Sequence, residues 1–340
     1  MRSIKLTDVK KLELDNLEKP EKEEGKVMIK VTKTGICGSD IHNWDMGSPK
    51  GLVLGHEFCG TVIYNGGRED LKEGDRVTAL PISPCNHCYA CETGNVQYCP
   101  ETWNHAVGLS LDNPGGLTEI INVRSDMVIK VPEEMTDEEV SMVEPTAVSF
   151  HATNLANIKV GESVLIVGGG IIGLGAAMFA KKEGASFVAL SETNENRGKK
   201  AVDLQVADKY YKVSDKMYEE MRKDVPNGFD VVIECCGNSS AVTSALTSAR
   251  NGGTVVLVGV SYNPITIPSI IPVMHELTVK GAIAYTKKEF ETCAHLISKK
   301  QIDVSKFLSK ILPLEETQKA YEELTSGNTD SIKIIIDPNK

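Results

Sequence analysis

The 340-residue sequence lacks any apolar run of 18 residues, so we expect no membrane-spanning helix. Its first eight residues, MRSIKLTD, lack the apolar core of a secretory signal, and we therefore expect a cytoplasmic protein. Positive charge is also scarce, because 37 Lys and Arg face 47 Asp and Glu, a formal net charge of −10. Nucleic acids are bound through clustered Lys and Arg, so a nucleic acid is not an expected partner. A membrane is not an expected partner either, because no membrane-spanning helix is predicted.

No low-complexity tract interrupts the chain, which is long enough for two domains. Residues 1–148 carry short apolar runs bounded by Gly, Asp or Pro, which predicts a mostly β domain, a small barrel or sandwich. Residues 149–286 alternate apolar strands with helical stretches, which predicts βαβ units and a doubly wound parallel sheet. Residues 287–340 are expected to return to the first domain. The predicted fold class is α/β.

Nine cysteines make a poor disulfide framework, because the count is odd and no export signal is apparent. Four of them lie within fifteen residues, and such short spacing lets one loop wrap around a single ion. A site of four thiolates is closed to substrate, so we predict a structural zinc ion. Disulfides, free thiols or an iron–sulfur cluster are the alternatives. The four residues are Cys85, Cys88, Cys91 and Cys99.

A glycine-rich segment follows the strand predicted at 164–167 and opens a helix, which is the context that dinucleotide binding requires. Gly168 would form a tight turn, Gly170 would let the pyrophosphate approach the backbone, and Gly173 would allow close helix packing. The segment is Gly168, Gly169, Gly170, Ile171, Ile172 and Gly173.

Glu192 ends the next predicted strand, 19 residues after Gly173, where an acid can bind the ribose 2′-hydroxyl. Its charge would repel a 2′-phosphate, which favours NAD, while Arg197 close by keeps NADP open as a cofactor. A solvated loop acid is the alternative interpretation of Glu192. Further cofactor contacts are expected at Gly237, Val258 and Gly259.

A dispersed set of residues supplies a thiolate, an imidazole and carboxylates, the ligand types of an open catalytic zinc site. Cys37 opens the segment Cys-Gly-Ser-Asp-Ile-His, His56 and Glu57 are adjacent, and Glu144 precedes a proline. A lone Cys is usually a small buried hydrophobe. It is the combination that predicts a metal centre.

These motifs, in this order, make the chain resemble the zinc-dependent medium-chain dehydrogenases over essentially its whole length, especially the sorbitol and 2,3-butanediol dehydrogenase branches. The resemblance implies a GroES-like barrel domain interrupted by a Rossmann domain, with substrate between them. It also implies that Cys37 and His56 bind catalytic zinc and that Asp40 holds His56 in its zinc-binding tautomer. Glu57 and Glu144 are then rival carboxylates, one bound to the metal and the other nearby or bridged by water. The four-cysteine loop matches the structural-zinc lobe of the family.

The implied reaction is hydride transfer between a secondary alcohol, or the matching ketone, and a nicotinamide cofactor. Zinc lowers the pKa of a bound hydroxyl. Ser39 can take the proton and pass it to His42, three residues further on, although His42 could also be a plain surface histidine. The expected cofactors are two zinc ions and NAD, and relatives lead us to expect a homo-oligomer, a dimer or tetramer.

The expected substrate is a small diol or a polyol. In the sorbitol branch an Arg usually stands before the residue that aligns with Tyr285, and this chain has Ala284 there. The loss of that polar partner favours a small vicinal diol or hydroxyketone over a long polyol. Sorbitol-type and L-threonine dehydrogenases are the alternatives, followed by a zinc-free quinone reductase relative and a non-catalytic NAD-binding zinc protein. Neither the quinone reductase relative nor the non-catalytic protein would explain why the predicted catalytic zinc ligands are present.

Substitution of Cys91 by Ser tests the four-cysteine interpretation. Because a structural zinc site contributes folding free energy, Cys91→Ser should lose one of the two zinc ions and lower the melting temperature. Turnover should fail only as the fold does. Metal analysis and thermal melts give the result, and a variant that keeps both zinc ions and the wild-type melting temperature would contradict the assignment.

Overall fold

The computed structural model describes residues 1–340. The strands are β1 (Arg2–Asp8), β2 (Lys11–Asn16), β3 (Lys26–Gly35), β4 (Glu57–Tyr64), β5 (Arg76–Ala79), β6 (Ile120–Arg124), β7 (Val128–Lys130), β8 (Ser163–Val167), β9 (Phe187–Glu192), β10 (Lys209–Lys212), β11 (Phe229–Glu234), β12 (Ala249–Leu257), β13 (Thr278–Gly281), β14 (Leu308–Pro313) and β15 (Lys333–Asp337). The helices are α1 (Gly38–Met46), α2 (Tyr89–Glu92), α3 (Asp137–Ser141), α4 (Val143–Ala156), α5 (Ile171–Lys182), α6 (Glu195–Asp203), α7 (Met217–Asp224), α8 (Ser239–Ser248), α9 (Ile270–Met274), α10 (Lys287–Ser298) and α11 (Thr317–Thr325). None of these helices combines the length and apolar character needed to cross a bilayer.

The chain divides into two compact units. Unit 1 comprises Met1–Pro145, Tyr285–Ser326 and Lys333–Lys340, and unit 2 comprises Thr146–Ala284 and Gly327–Ile332. The sequence placed the boundaries at 148/149 and 286/287, but it assigned all of residues 287–340 to the first domain. Residues 327–332 group with unit 2, where Asn194 Nδ2 donates hydrogen bonds to the carbonyl oxygens of Gly327 and Thr329.

Unit 2 is built on six parallel strands in the order β10-β9-β8-β11-β12-β13. The central strand β8 is a nearly continuous apolar run, and β11 has Val231, Val232 and Ile233 buried at its middle, as expected of strands that are covered on both faces. This order confirms the predicted doubly wound sheet. The order reverses between β8 and β11, and ligands of such sheets bind at the carboxyl ends of the strands at that point.

Unit 1 contains a seven-stranded sheet in the order β14-β15-β3-β4-β5-β7, with β6 also pairing with β3. Val27, Ile29 and Val31 of β3 are fully buried in its core. The carboxyl end of β3 lies between two partners, because Gly35 pairs with Glu57 of β4 and with Ile335 of β15. Residues from three distant parts of the chain therefore meet at Gly35.

Candidate metal centres and cofactor loop

The four cysteines of the predicted zinc loop come together in unit 1, where their sulfur atoms all lie within 4.8 Å of one another. The sulfur of Cys91 lies 4.0 Å from that of Cys85 and 3.6 Å from that of Cys88. Both separations are close to the roughly 3.8 Å expected between ligands of a tetrahedral zinc ion with Zn–S bonds of about 2.3 Å. The donor set therefore fits a structural zinc ion.

The remaining cysteine, Cys99, accepts hydrogen bonds from two backbone N–H groups, those of Cys85 at 3.3 Å and Glu101 at 3.4 Å. Burial by itself would raise the pKa of Cys99, but these donors lower that pKa to about 6. The surroundings of Cys99 thus favour its thiolate form, which is the form that binds metal.

A second group of ligand atoms in unit 1 combines a sulfur, an imidazole nitrogen and a carboxylate oxygen within 4.8 Å of one another. Cys37 immediately precedes α1, and His56 and Glu57 stand at the start of β4. His56 is 4% exposed and Glu57 is fully buried. This mixture of three ligands suits a zinc ion with a position left for substrate.

Asp40 lies beside the Nδ1 atom of His56, the neighbour that the resemblance implied. Its Oδ1 is 3.2 Å from His56 Nδ1, without the alignment of a full hydrogen bond, and its Oδ2 accepts the N–H of Cys37 at 3.0 Å. Burial lowers the pKa of His56, but the negative charges of Asp40 and Cys37 outweigh it and raise that pKa well above its ordinary value. The surroundings of His56 therefore favour a positive charge, which a metal ion would supply.

The two rival carboxylates occupy different positions. Glu57 belongs to the group with Cys37 and His56, and Glu144 lies outside it. Glu144, on α4, is 7% exposed and accepts a hydrogen bond from Tyr285 Oη at 2.8 Å. Burial is the main cause that raises the pKa of Glu144 to about 7, with Glu57 adding to it and His56 opposing it.

The residues of the predicted proton path share helix α1. Ser39 Oγ lies 3.4 Å from His56 Nε2, and His42 follows one turn later with a half-buried side chain. The hydroxyl of Ser39 is therefore beside the ligand group, and His42 is three residues further along the helix.

Sequence reasoning missed two residues of this site. Lys333 is fully buried, and its Nζ donates to Glu57 Oε2 and, at 2.8 Å, to the carbonyl oxygen of Ile36. Gly35 leaves the space that this pair occupies, because a Cβ there would overlap Glu57 Oε2. The available signal was a single lysine within the isoleucine-rich strand at 332–336.

The glycine-rich loop of unit 2 connects β8 to α5, and Ile171 and Ile172 are the first residues of that helix. Gly168 has φ +107°, a conformation that residues with a side chain rarely adopt. A Cβ at Gly173 would overlap the carbonyl oxygen of Gly168, whereas a Cβ at Gly170 would have no atom within 4 Å. The loop therefore packs tightly at its ends and leaves open space at Gly170.

Glu192 ends β9 and lies against this loop. Its Oε2 accepts the N–H of Gly169 at 2.7 Å, and its Oε1 accepts the N–H groups of Thr193 and Asn194 at 2.7 and 2.9 Å. Arg197, in α6, is half-buried, and its Nε is buried without a hydrogen-bond partner. The protein thus positions the carboxylate of Glu192 with its own backbone.

The other candidate cofactor residues gather at the carboxyl ends of β11 and β12. The backbones of Gly237 and Gly259 pack so closely that a Cβ on either would overlap the other segment. The N–H groups of Val258 and Gly259 donate to the carbonyl oxygen of Glu234 at 2.8 and 3.1 Å. The fully buried side chain of Glu234, which the sequence analysis did not single out, accepts the N–H groups of Cys236 and Gly237.

Comparison with known proteins covers both units. Family models match residues 23–133, as the alcohol dehydrogenase GroES-like domain, and residues 172–299, as zinc-binding dehydrogenase. L-threonine 3-dehydrogenase of Idiomarina loihiensis is 33% identical over 94% of this chain and 94% of its own length. Sorbitol dehydrogenase of Pongo abelii is 30% identical over 96% of this chain and 94% of its own length. The crystal structure of 2R,3R-butanediol dehydrogenase from Bacillus subtilis superimposes with a TM-score of 0.87 at 28% identity and covers 99% of each chain.

The matches confirm the predicted combination of a GroES-like domain with a Rossmann-type parallel sheet. They extend over nearly the full length of the threonine and sorbitol dehydrogenases. The chain belongs to the zinc-dependent medium-chain alcohol dehydrogenase family.

Proposed function

We propose that the protein transfers hydride between a small secondary alcohol and NAD, with Cys37, His56 and Glu57 holding a catalytic zinc ion. Family membership already makes the chain a zinc-dependent oxidoreductase that acts on secondary alcohols. The observation that supports our zinc assignment is the meeting of three different ligand types within 4.8 Å. Zinc bound there supplies a Lewis acid that lowers the pKa of an alcohol hydroxyl.

Glu57 is our choice for the carboxylate ligand. It belongs to the group of ligand atoms, whereas Glu144 is engaged by the hydroxyl of Tyr285. Because burial raises the pKa of Glu144 to about 7, this side chain can hold a proton near neutral pH. We propose that Glu144 remains beside the zinc site and does not bind the ion directly.

Ser39 is the proposed first acceptor of the substrate proton. Its hydroxyl oxygen is 3.4 Å from His56 Nε2 and so borders the ligand group. A hydroxyl can accept one proton while it donates its own, and His42, at the next turn of α1, can receive that second proton. The released proton would then leave through the imidazole of His42.

The loop at Gly168–Gly173 is the proposed binding site for the pyrophosphate of the nicotinamide cofactor. The open space at Gly170 and the N-terminus of α5 suit an anionic group. Glu192, at the end of the neighbouring strand, would accept the ribose hydroxyls and disfavour a 2′-phosphate. NAD is therefore our proposed cofactor, and we assign the four-cysteine loop a second, structural zinc ion.

We also propose that the protein is a homo-oligomer in the cytoplasm. Strand β13 is at the edge of the sheet of unit 2, and Val279 on it is 42% exposed. The neighbouring apolar residues Ile270, Val273 and Met274 are 61–73% exposed. A second copy that pairs along this edge would cover them. A reducing cytoplasm would keep the zinc-binding cysteines free of disulfide bonds.

The substrate we propose is a small vicinal diol or hydroxyketone. The identities to the threonine, sorbitol and butanediol enzymes, 33%, 30% and 28%, are too similar to choose among their substrates. The methyl group of Ala284 cannot hydrogen-bond the hydroxyls of a long polyol. Tyr285, next to it, already donates its hydroxyl proton to Glu144.

Substitution of Cys37 by Ala should remove catalysis and spare cofactor binding, since Cys37 belongs to unit 1 and the glycine-rich loop to unit 2. Lewis-acid catalysis is worth several kcal/mol, so we expect turnover to fall at least about a thousandfold, about 4 kcal/mol. Steady-state rates and an NADH titration measure the two effects. Cys293→Ala, at a buried cysteine in α10, is the matched control. Substantial turnover by Cys37→Ala would refute the zinc assignment.

Substitution of Glu192 by Ala should weaken NAD binding by about tenfold to a hundredfold, because hydrogen bonds to a charged acceptor are worth roughly 1.5–3 kcal/mol. NADP binding should weaken less, since the repulsion of its 2′-phosphate is also lost. Dissociation constants for both cofactors test this point. Glu195→Ala removes an acid that pairs with Lys199 and Lys212, and should leave both constants unchanged. An unaltered NAD-to-NADP ratio in Glu192→Ala would mean that the ribose binds elsewhere.

A panel of alcohols tests the substrate. At saturating NAD, kcat/KM should be higher for 2,3-butanediol than for sorbitol, xylitol or L-threonine, because a pocket without a polar partner gains little from additional hydroxyls. The reverse reaction with acetoin should follow the same preference. A clear preference for sorbitol or xylitol would make a polyol the substrate and exclude Ala284 as the determinant.

A further inference from the structure

Lys333 is a charged residue in an otherwise apolar setting. It opens β15, is followed by three isoleucines, and has no exposed surface. Lysine is almost never fully buried unless its charge is paired. The partners of its ammonium group therefore determine what it does.

Those partners are one oxygen of Glu57 and one backbone carbonyl. Nζ donates to Glu57 Oε2 and, at 2.8 Å, to the carbonyl oxygen of Ile36. The side chain passes from β15 to β4 across the intervening strand β3, at the position of Gly35. A Cβ on Gly35 would overlap Glu57 Oε2 and come within 2.8 Å of Lys333 Cε. The missing side chain of Gly35 is what permits the pair.

The contact leaves the two oxygens of Glu57 unequal. Oε2 is bonded to Lys333, whereas Oε1 is buried and has no hydrogen-bond partner. A carboxylate can bind a metal through one oxygen or through both. With Oε2 engaged, Glu57 has one free oxygen to offer a metal.

This matters because catalytic zinc has three protein ligands and an open fourth position. A carboxylate that bound through both oxygens would supply a fourth ligand atom in addition to Cys37 and His56. The position for substrate would then be taken by the protein itself.

Building on the proposed function, we infer that Lys333 restricts Glu57 to a single-oxygen zinc ligand and so keeps a coordination position available for substrate. Lys333 is a positioning residue, since it acts through Glu57. Without its ammonium group, the zinc ion would be the remaining cation beside a buried carboxylate, and both oxygens would turn to it.

The test replaces Lys333 by Met, which keeps the length of the side chain and removes its charge. In the holoenzyme, zinc is kept in the four-cysteine loop and cobalt(II) is exchanged into the Cys37 site, as checked by metal analysis. The visible absorption of cobalt(II) decreases when its coordination number rises above four. We expect Lys333→Met to keep its metal against a chelator at least as well as wild type, to lose visible absorption per cobalt ion, and to lose kcat by about 10- to 100-fold.

Two further variants serve as controls. Lys33→Met removes a different lysine, which lies in β3, has a side chain that is 14% exposed and pairs with Asp337. This variant should match wild type in its cobalt spectrum and in its rate. Lys333→Arg keeps a cation and should recover most of the cobalt absorption. If Lys333→Met does not fold, Lys333→Gln provides the same measurements with a shorter neutral side chain.

The outcomes separate this inference from the proposed function. If wild type binds no metal at Cys37, the proposed function fails and the inference fails with it. If wild type binds cobalt and the neutral variants show the same spectrum and kcat, the inference alone is overturned. It is also overturned if they lose the metal in step with activity, because Lys333 would then only stabilise the site.

Discussion

The ion pair between Glu57 and Lys333 joins residues 276 positions apart, and both side chains are fully buried. A carboxylate in such a place is stable only if cations or hydrogen-bond donors surround it. Lys333 provides one cation, and the proposed zinc ion would provide the other. The proposed zinc site therefore depends on the register of β15 on β3 and on the space at Gly35, because both are needed for Lys333 to reach Glu57.

Unit 2 also relies on buried or half-buried carboxylates, but it satisfies them with backbone N–H groups. Glu192 accepts N–H donors from the glycine-rich loop and from the start of the following turn. Glu234 does the same for the turn after β11. Burial raises the pKa of Glu234, and the N–H groups of Gly237 and Cys236 oppose that shift. These contacts order the loops at the carboxyl ends of β8, β9 and β11.

The two candidate metal centres differ in a way that matches their proposed roles. Four cysteines from one short loop form a closed set, which can stabilise a fold but leaves no room for substrate. The other set takes its ligands from the start of a helix and the start of a strand, and it has acids and a lysine around it. Family membership establishes a zinc-dependent oxidoreductase that acts on secondary alcohols.

The features that the sequence by itself determined depend on neighbours along the chain. The cysteine loop, the glycine-rich turn between a strand and a helix, and the α/β alternation are local patterns, since spacing along the chain controls their geometry. The relation between Glu57 and Glu144 and the transfer of residues 327–332 to unit 2 emerged only in the tertiary structure. So did the contact of Lys333 with Glu57 across Gly35. The physical reason is that strand order and register bring these distant residues together, and no spacing within a local window encodes which strands become neighbours.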